Sequence, residues 1–229
     1  MITVIDKDLV LPEQSPQEKL VHLIEPKWQR QLDTAVERGY DMAYKTLHDD
    51  SSSAVWMLEG RGPVAVESRI KQIAVEVCVC RLIESGVLPF DYHYVYNDAG
   101  NHKYLLVSTD SFHLTINQCL NGNRPAKKVQ YRAKENTNFQ TRLVLDKDDM
   151  IVNNPVSEYL ELNHGYKSDT PKFICLGIPD VETNSWQARI DLSRGLSVLS
   201  NEPFKTEVSG PDTITADEFA SYLKRESND

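Results

Sequence analysis

The hydrophobic period changes near Pro89, and this change constrains the fold more than any other feature of the sequence. Before Pro89, apolar residues recur at helical spacing; one such stripe consists of Val66, Ile70, Ile73, Val77 and Cys80. After Pro89, short alternating stretches follow one another, separated by turn-forming residues such as those at 97–101. Strands that succeed one another without helices between them usually pair antiparallel. The sequence therefore predicts an α+β fold, with N-terminal helices packed on a mainly antiparallel β-sheet.

The helix boundaries are marked by capping residues and prolines. Ser15, Pro16 and Glu18 predict a helix start, because a serine cap and a glutamate three residues later satisfy the free N–H groups. Pro26 should break or kink that helix, and Gly86 is a natural C-terminal stop for the helix that begins after Gly62.

We interpret residues 1–229 as a single domain. A subdivision into a helical layer (residues 1–88) and a β-rich part (residues 89–229) is the alternative, but one layer of helices on one sheet face is more economical. A second capping box, Thr215 to Glu218, predicts a short C-terminal helix.

The β-rich part contains eight predicted strands. They are residues 92–96, 103–109, 112–118, 129–133, 142–146, 173–178, 187–192 and 196–199. Residues 129–133 and 142–146 are predicted to pair with each other. Residues 163–166 and 178–182 are assigned to loops that flank a buried strand.

The N-terminus, the cysteines and the net charge indicate the compartment and restrict the kind of partner. The N-terminus has no basic region before its short apolar run, and no apolar stretch is long enough to span a membrane. The four cysteines are predicted to be small buried hydrophobes, not disulfides or zinc ligands, which indicates the cytoplasm. The net charge of −9 disfavours a general attraction to nucleic acid or membranes, but it allows a local basic site.

Residues 122–142 form such a site, with a net charge of +5 that leaves −14 for the rest of the chain. Its cations are Arg124, Lys127, Lys128, Arg132, Lys134 and Arg142, and polar or aromatic residues such as Gln130, Tyr131 and Phe139 lie among them. Lys and Arg bind phosphates, whereas amides contact base edges and aromatic rings stack on bases. A basic hairpin arm that contacts nucleic acid or another acidic partner is therefore predicted.

The alternative for this segment is the solvated face of an edge hairpin, where lysines discourage aggregation. An exposed hairpin edge would also allow a homodimer to pair across a two-fold axis.

The stretch Phe112-His113-Leu114-Thr115-Ile116 places His113 and Thr115 on one side of a strand. It resembles one half of the motif of the two-histidine phosphoesterases, in which such a pair gives acid–base chemistry and phosphate binding. The second half is absent, because no other histidine of this chain has Thr or Ser two residues later.

A metal-dependent nuclease is a further enzymatic hypothesis. It would use Glu76 on the third helix and Asp98 or Asp110 at a strand end to hold Mg²⁺. The next strand offers Gln130 and Arg132 where a carboxylate and a lysine are required, and a neutral amide binds Mg²⁺ poorly.

The leading hypothesis is a cytoplasmic binding or regulatory protein with a basic arm and no cofactor. The main alternative is a phosphodiesterase or nuclease that uses His113 and Thr115, or Mg²⁺ near Glu76 and Asp110. The third is a protein-interaction inhibitor whose acidic remainder mimics a nucleic acid surface.

Overall fold

The computed structural model describes residues 14–48, 63–97, 99–100, 103–127, 144–145, 151–152, 157–165, 167–180, 182–195, 214 and 217. The order of elements is α1 (Pro16–Leu23), α2 (Pro26–His48), α3 (Pro63–Glu84), β1 (Asp91–Tyr96), β2 (Lys103–Ser108), β3 (Phe112–Cys119), β4 (Val144–Leu145), β5 (Ile151–Val152), β6 (Glu158–Gly165), β7 (Ile174–Asp180), β8 (Ser185–Asp191) and α4 (Leu192–Gly195). Helices thus precede the sheet, and the predicted α+β class is confirmed.

The predicted helix boundaries are confirmed in atomic detail. The Ser15 backbone N–H donates to the Glu18 carboxylate at 3.0 Å, and the Glu18 N–H donates to the Ser15 hydroxyl at 3.3 Å, which completes a capping box. Helix α1 ends at its C-cap residue Ile24, and Pro26 begins α2 two residues later. Gly86 follows α3 with a φ of 74°, a left-handed conformation that suits glycine.

Helices α2 and α3 pack closely against each other. Gly39 makes this possible, because a Cβ atom at that position would lie 2.7 Å from Val75 Cα. Helix α3 is buried over more than the predicted apolar stripe, since even Lys71 and Glu76 are at most 7% exposed.

A six-stranded sheet has the order β1-β2-β3-β6-β7-β8. Every neighbouring pair is antiparallel except β3 and β6, which are parallel, with Leu114 opposite Leu160 and Ile116 opposite Leu162. The sheet therefore consists of two antiparallel meanders that meet at one parallel seam. Residues 120–157 form the crossover connection between the two strands of the seam, and they contain the hairpin β4-β5.

The main core lies between the helices and one face of the sheet. Apolar residues of β2, β3, β6 and β7 on this face contact buried residues of α2 and α3, and Phe90 stacks edge-on with both Trp28 and Phe112. Each fully buried Leu or Ile contributes about 1.5–3 kcal/mol relative to its exposed state. This burial fixes the sheet on the helical layer and leaves its second face for other contacts.

The structure corrects the predicted strands and loops at several positions. Residues 163–165 belong to β6 and residues 178–180 belong to β7, although the sequence pattern assigns both stretches to loops. The described partner of β4 is β5, whereas the predicted strands at 129–133 and 196–199 lie outside the described residues. The predicted C-terminal helix also lies outside them, apart from Asp217.

The buried state of the four cysteines is confirmed. Cys78, Cys80, Cys119 and Cys175 are all buried and form no disulfide. None of the helices in the described part of the chain combines the length and the apolar character that a membrane span requires.

Candidate binding surface

The second face of the sheet carries a row of polar side chains across the parallel seam. Because side chains alternate along a strand, residues 113, 115 and 117 of β3 point away from the helices. Their register partners on β6 are residues 159, 161 and 163, whose side chains point the same way. A helix-covered apolar face and a polar opposite face therefore share the same two central strands.

These polar side chains form one continuous hydrogen-bonded network, whose members are Thr115, Asn117, Tyr159, Glu161 and Asn163. Asn163 Nδ2 donates to Glu161 Oε2 at 2.9 Å, and Asn117 Nδ2 donates to Asn163 Oδ1 at 3.0 Å. Asn117 Nδ2 also lies 3.2 Å from Thr115 Oγ1, which is 2.7 Å from the Tyr159 hydroxyl. All five side chains are at most 4% exposed. A satisfied buried network of this kind holds its members in one arrangement.

The network anchors the start of the crossover connection, residues 121–127, which we call the crossover root. The Ala126 N–H donates to Glu161 Oε2 at 2.8 Å. Four residues earlier, the Gly122 carbonyl oxygen accepts from Trp186 Nε1 at 3.0 Å and from Arg189 Nη1 at 2.6 Å. The crossover root is thus bonded at two points, one to β6 and one to β8.

A glycine on the neighbouring strand allows Trp186 to reach the crossover root. A Cβ atom at Gly177 of β7 would lie 2.7 Å from Trp186 Cε3 and 2.6 Å from the Ala188 carbonyl oxygen. Glycine at this position therefore leaves room for the indole ring over the sheet. The Cys175 Sγ lies 3.8 Å from the Gly122 carbonyl oxygen, and burial raises the pKa of this thiol to about 12, so it stays protonated.

Two of the nine predicted nucleic-acid-binding residues lie in the crossover root. Arg124 and Lys127 are both exposed, and Arg124 lies between the two anchored positions. The other seven lie outside the described residues; they are Lys128, Gln130, Tyr131, Arg132, Lys134, Phe139 and Arg142.

His113 and Thr115 do share the polar face of β3, as the alternation predicts. His113 is half-buried, and its pKa is lowered by burial and by the neighbouring His93. The Thr115 hydroxyl is bonded to Tyr159 and Asn117 within the buried network. Acid–base catalysis by this pair stays a prediction.

Glu76 and Asp110 lie in different surroundings. Glu76 accepts from Gln72 Nε2 at 2.7 Å, and the same amide donates to the Ile116 carbonyl oxygen, so Glu76 lies on the helical side of β3. Asp110 is exposed in the turn before β3. Within the described ranges, no three His, Cys, Asp or Glu side chains cluster as metal ligands would. The magnesium site also stays a prediction.

A second polar cluster lies on the helical side, where β3 and β6 end. Tyr40 Oη is 2.9 Å from His164 Nδ1, and Ser68 Oγ donates to Gln118 Oε1 at 2.6 Å. Lys71 donates to the Ser168 carbonyl oxygen at 2.7 Å and also pairs with Glu67. His164 is fully buried, which lowers its pKa to about 4.

A cavity of about 590 Å³ adjoins this cluster. It is lined by Glu37, Tyr40, Asp41, Tyr44, Asp169, Thr170 and Pro171. The Asp41 carboxylate is already paired with Lys45 at 3.0 Å, and most of the lining side chains are exposed.

The residues that anchor the crossover root are absent from the sequence-based predictions. Trp186 and Arg189 lie on β8, 25 or more residues after Glu161, and only the pairing of β6, β7 and β8 brings them near it. The alternation of Leu160 and Leu162 with Glu161 and Asn163 is the signal that would have identified β6 as a strand.

Comparisons of the chain with models of known protein families, with curated proteins and with solved structures find no match.

Proposed function

We propose that this protein is a cytoplasmic, non-enzymatic regulatory protein that binds nucleic acid through the basic part of its crossover connection, residues 122–142. The observation that supports this most directly is the placement of Arg124 and Lys127. Both are exposed on a stretch of backbone that is bonded to the sheet at Gly122 and Ala126. Cations on a rigid support bind phosphates with a smaller loss of conformational freedom than cations on a free loop.

The distribution of charge also favours a single binding orientation. The segment carries +5 and the rest of the chain −14. At physiological ionic strength the Debye length is about 8 Å, so a phosphate backbone in contact with this segment experiences mainly its local charge. The acidic remainder repels the same backbone, so other parts of the surface would compete poorly for it.

The state of the cysteines supports the proposed compartment. All four are buried thiols without disulfides, as expected of a protein that folds in a reducing environment.

The test is a binding assay with labelled single- and double-stranded DNA and RNA across a salt series. Replacing Lys127, Lys128 and Arg132 with Ala should weaken binding. It should also reduce the slope of log K against log salt by about 0.9 for each duplex phosphate that is no longer neutralised, or roughly 3 in all. The matched control replaces Lys19, Lys27 and Lys45, which lie in helices α1 and α2, and it removes the same number of positive charges. The control should keep the slope of the wild type.

Equal effects of the two triple variants would refute the proposal, because binding would then follow net charge alone. Cleavage of the labelled strands would instead support the phosphodiesterase hypothesis. Loss of that cleavage in His113→Ala would assign it to His113, and loss on addition of a chelator would assign it to a metal.

A further inference from the structure

The buried acid beneath the crossover root has a role that its charge alone does not explain. We propose that Glu161 and Trp186 are positioning residues, which hold the crossover root in one conformation so that Arg124 and Lys127 meet nucleic acid preorganised. This inference rests on the proposed function and names the residues that turn a basic segment into an ordered binding surface.

Glu161 is built into the sheet as an acceptor. Its side chain is 2% exposed, and Oε2 accepts both the Ala126 N–H at 2.8 Å and Asn163 Nδ2 at 2.9 Å. Hydrogen bonds to a carboxylate are roughly twice as strong as those between neutral groups. Asn117 in turn holds Asn163, so the carboxylate is oriented by the buried network before it meets the backbone of the crossover root.

Trp186 supplies the second anchor without any charge. Its Nε1 donates to the Gly122 carbonyl oxygen at 3.0 Å, next to the Arg189 guanidinium that donates to the same atom. Arg189 also lies 3.3 Å from Asn123 Oδ1. With Gly122 and Ala126 both fixed, the three residues between them, including Arg124, have little backbone freedom left to lose on binding.

Positioning and simple electrostatics predict opposite results when Glu161 is replaced. Loss of its negative charge raises the net charge by one unit, which should strengthen attraction to a phosphate backbone. Loss of its hydrogen bond to Ala126 frees the crossover root, which should weaken binding. The sign of the change in affinity therefore separates the two explanations.

The experiment measures the affinity of the full chain for a short labelled duplex by fluorescence anisotropy. Glu161→Ala should weaken binding roughly tenfold, and Trp186→Phe, which keeps a ring but removes the donor, should weaken it several-fold. Glu161→Gln keeps an acceptor oxygen and should restore most of the affinity. The control is Glu158→Ala, which removes the same charge from the same strand. The Glu158 side chain pairs with Lys19 on the helical side of the sheet and not with the crossover root. This control variant should bind as tightly as the wild type or more tightly.

Two further measurements separate positioning from a loss of structure. Urea unfolding establishes that each variant is folded under the binding conditions. Hydrogen exchange should become faster in the peptide that covers residues 120–127 in Glu161→Ala and Trp186→Phe, while the salt slope of binding stays that of the wild type. If Glu161→Ala fails to fold, the neutral Trp186→Phe variant carries the test.

The inference is overturned if Glu161→Ala and Trp186→Phe bind as tightly as the wild type. If the wild type binds no nucleic acid, the proposed function fails, and hydrogen exchange still decides the structural claim. Unchanged exchange in residues 120–127 of both variants would then overturn the anchoring role as well.

Discussion

Acid should destabilise this protein through His164, and the size of the effect can be calculated from its environment. His164 is fully buried at the end of β6, with Nδ1 2.9 Å from Tyr40 Oη. Among the described residues, its Nε2 has no hydrogen-bond partner. Burial lowers the pKa of His164 to about 4 from its usual value of 6.5. The folded state therefore holds a neutral imidazole over a pH range in which the unfolded state is protonated.

The direction in which the free energy of unfolding changes with pH follows from proton linkage. Between the folded pKa of about 4 and the unfolded value of 6.5, the unfolded chain binds more protons, so the free energy of unfolding falls as the pH falls. The contribution of His164 to stability is complete above the unfolded pKa. About 2 kcal/mol of it is lost by about pH 5, and roughly 3 kcal/mol by about pH 4.

Urea unfolding of the wild type and of His164→Asn, at about pH 7.5 and about pH 5, measures this effect. Asn is chosen because its amide can replace Nδ1 as the partner of Tyr40. The stability of the wild type should fall between these two pH values by about 2 kcal/mol more than that of the variant. The control is His22→Asn, which removes an exposed histidine of α1 and should retain the full pH dependence of the wild type. Identical pH dependences for the wild type and His164→Asn would refute the argument.

Two further changes test the helical layer. Burial, together with Glu37 and Asp191, raises the pKa of the half-buried Asp33 to about 6, so its contribution to stability falls as the pH rises from about 4 to about 6. In urea unfolding, Asp33→Asn should therefore be more stable than the wild type at neutral pH but not at about pH 4. A difference in the free energy of unfolding that is the same at both pH values would contradict this.

Gly39→Ala should destabilise the protein by about 1–3 kcal/mol in thermal unfolding, because its Cβ would overlap Val75 Cα. An unchanged Tm would show that α2 and α3 can move apart at no cost in stability.

The helix boundaries could be predicted because their determinants are local. The capping box of Ser15, the break at Pro26 and the left-handed Gly86 each act within a few residues of the chain. The sequence pattern does not predict strand β6, because Glu, Asn and Gly are depleted in strands and four of its eight residues are of these types. Its pairing with β3 supplies what the local sequence lacks, and those two strands are separated by residues 120–157.

The positive charge of the candidate site could be predicted from the sequence, but the residues that anchor its backbone could not. The cluster of cations is visible in the sequence, and Arg124 and Lys127 are exposed as expected of a binding surface. The anchors are not visible, because no local feature of the sequence shows that Glu161 is buried and bonded to the crossover root. A buried carboxylate that accepts a backbone N–H 35 residues away can be inferred only from the register of the parallel seam.

The parallel seam also determines how freely the chain between its strands can vary. Antiparallel meanders on both sides hold β3 and β6 in the sheet, and these two strands pair directly with each other. Their hydrogen bonds to β2, to β7 and to each other all lie outside residues 128–156. Closing a connection that is twice as long costs only about 0.6 kcal/mol more. We therefore expect a chain with a shorter or longer segment after the anchored residues 122–126 to keep the register of the seam. The proposed binding segment could then change in length without a change in the pairing of the sheet.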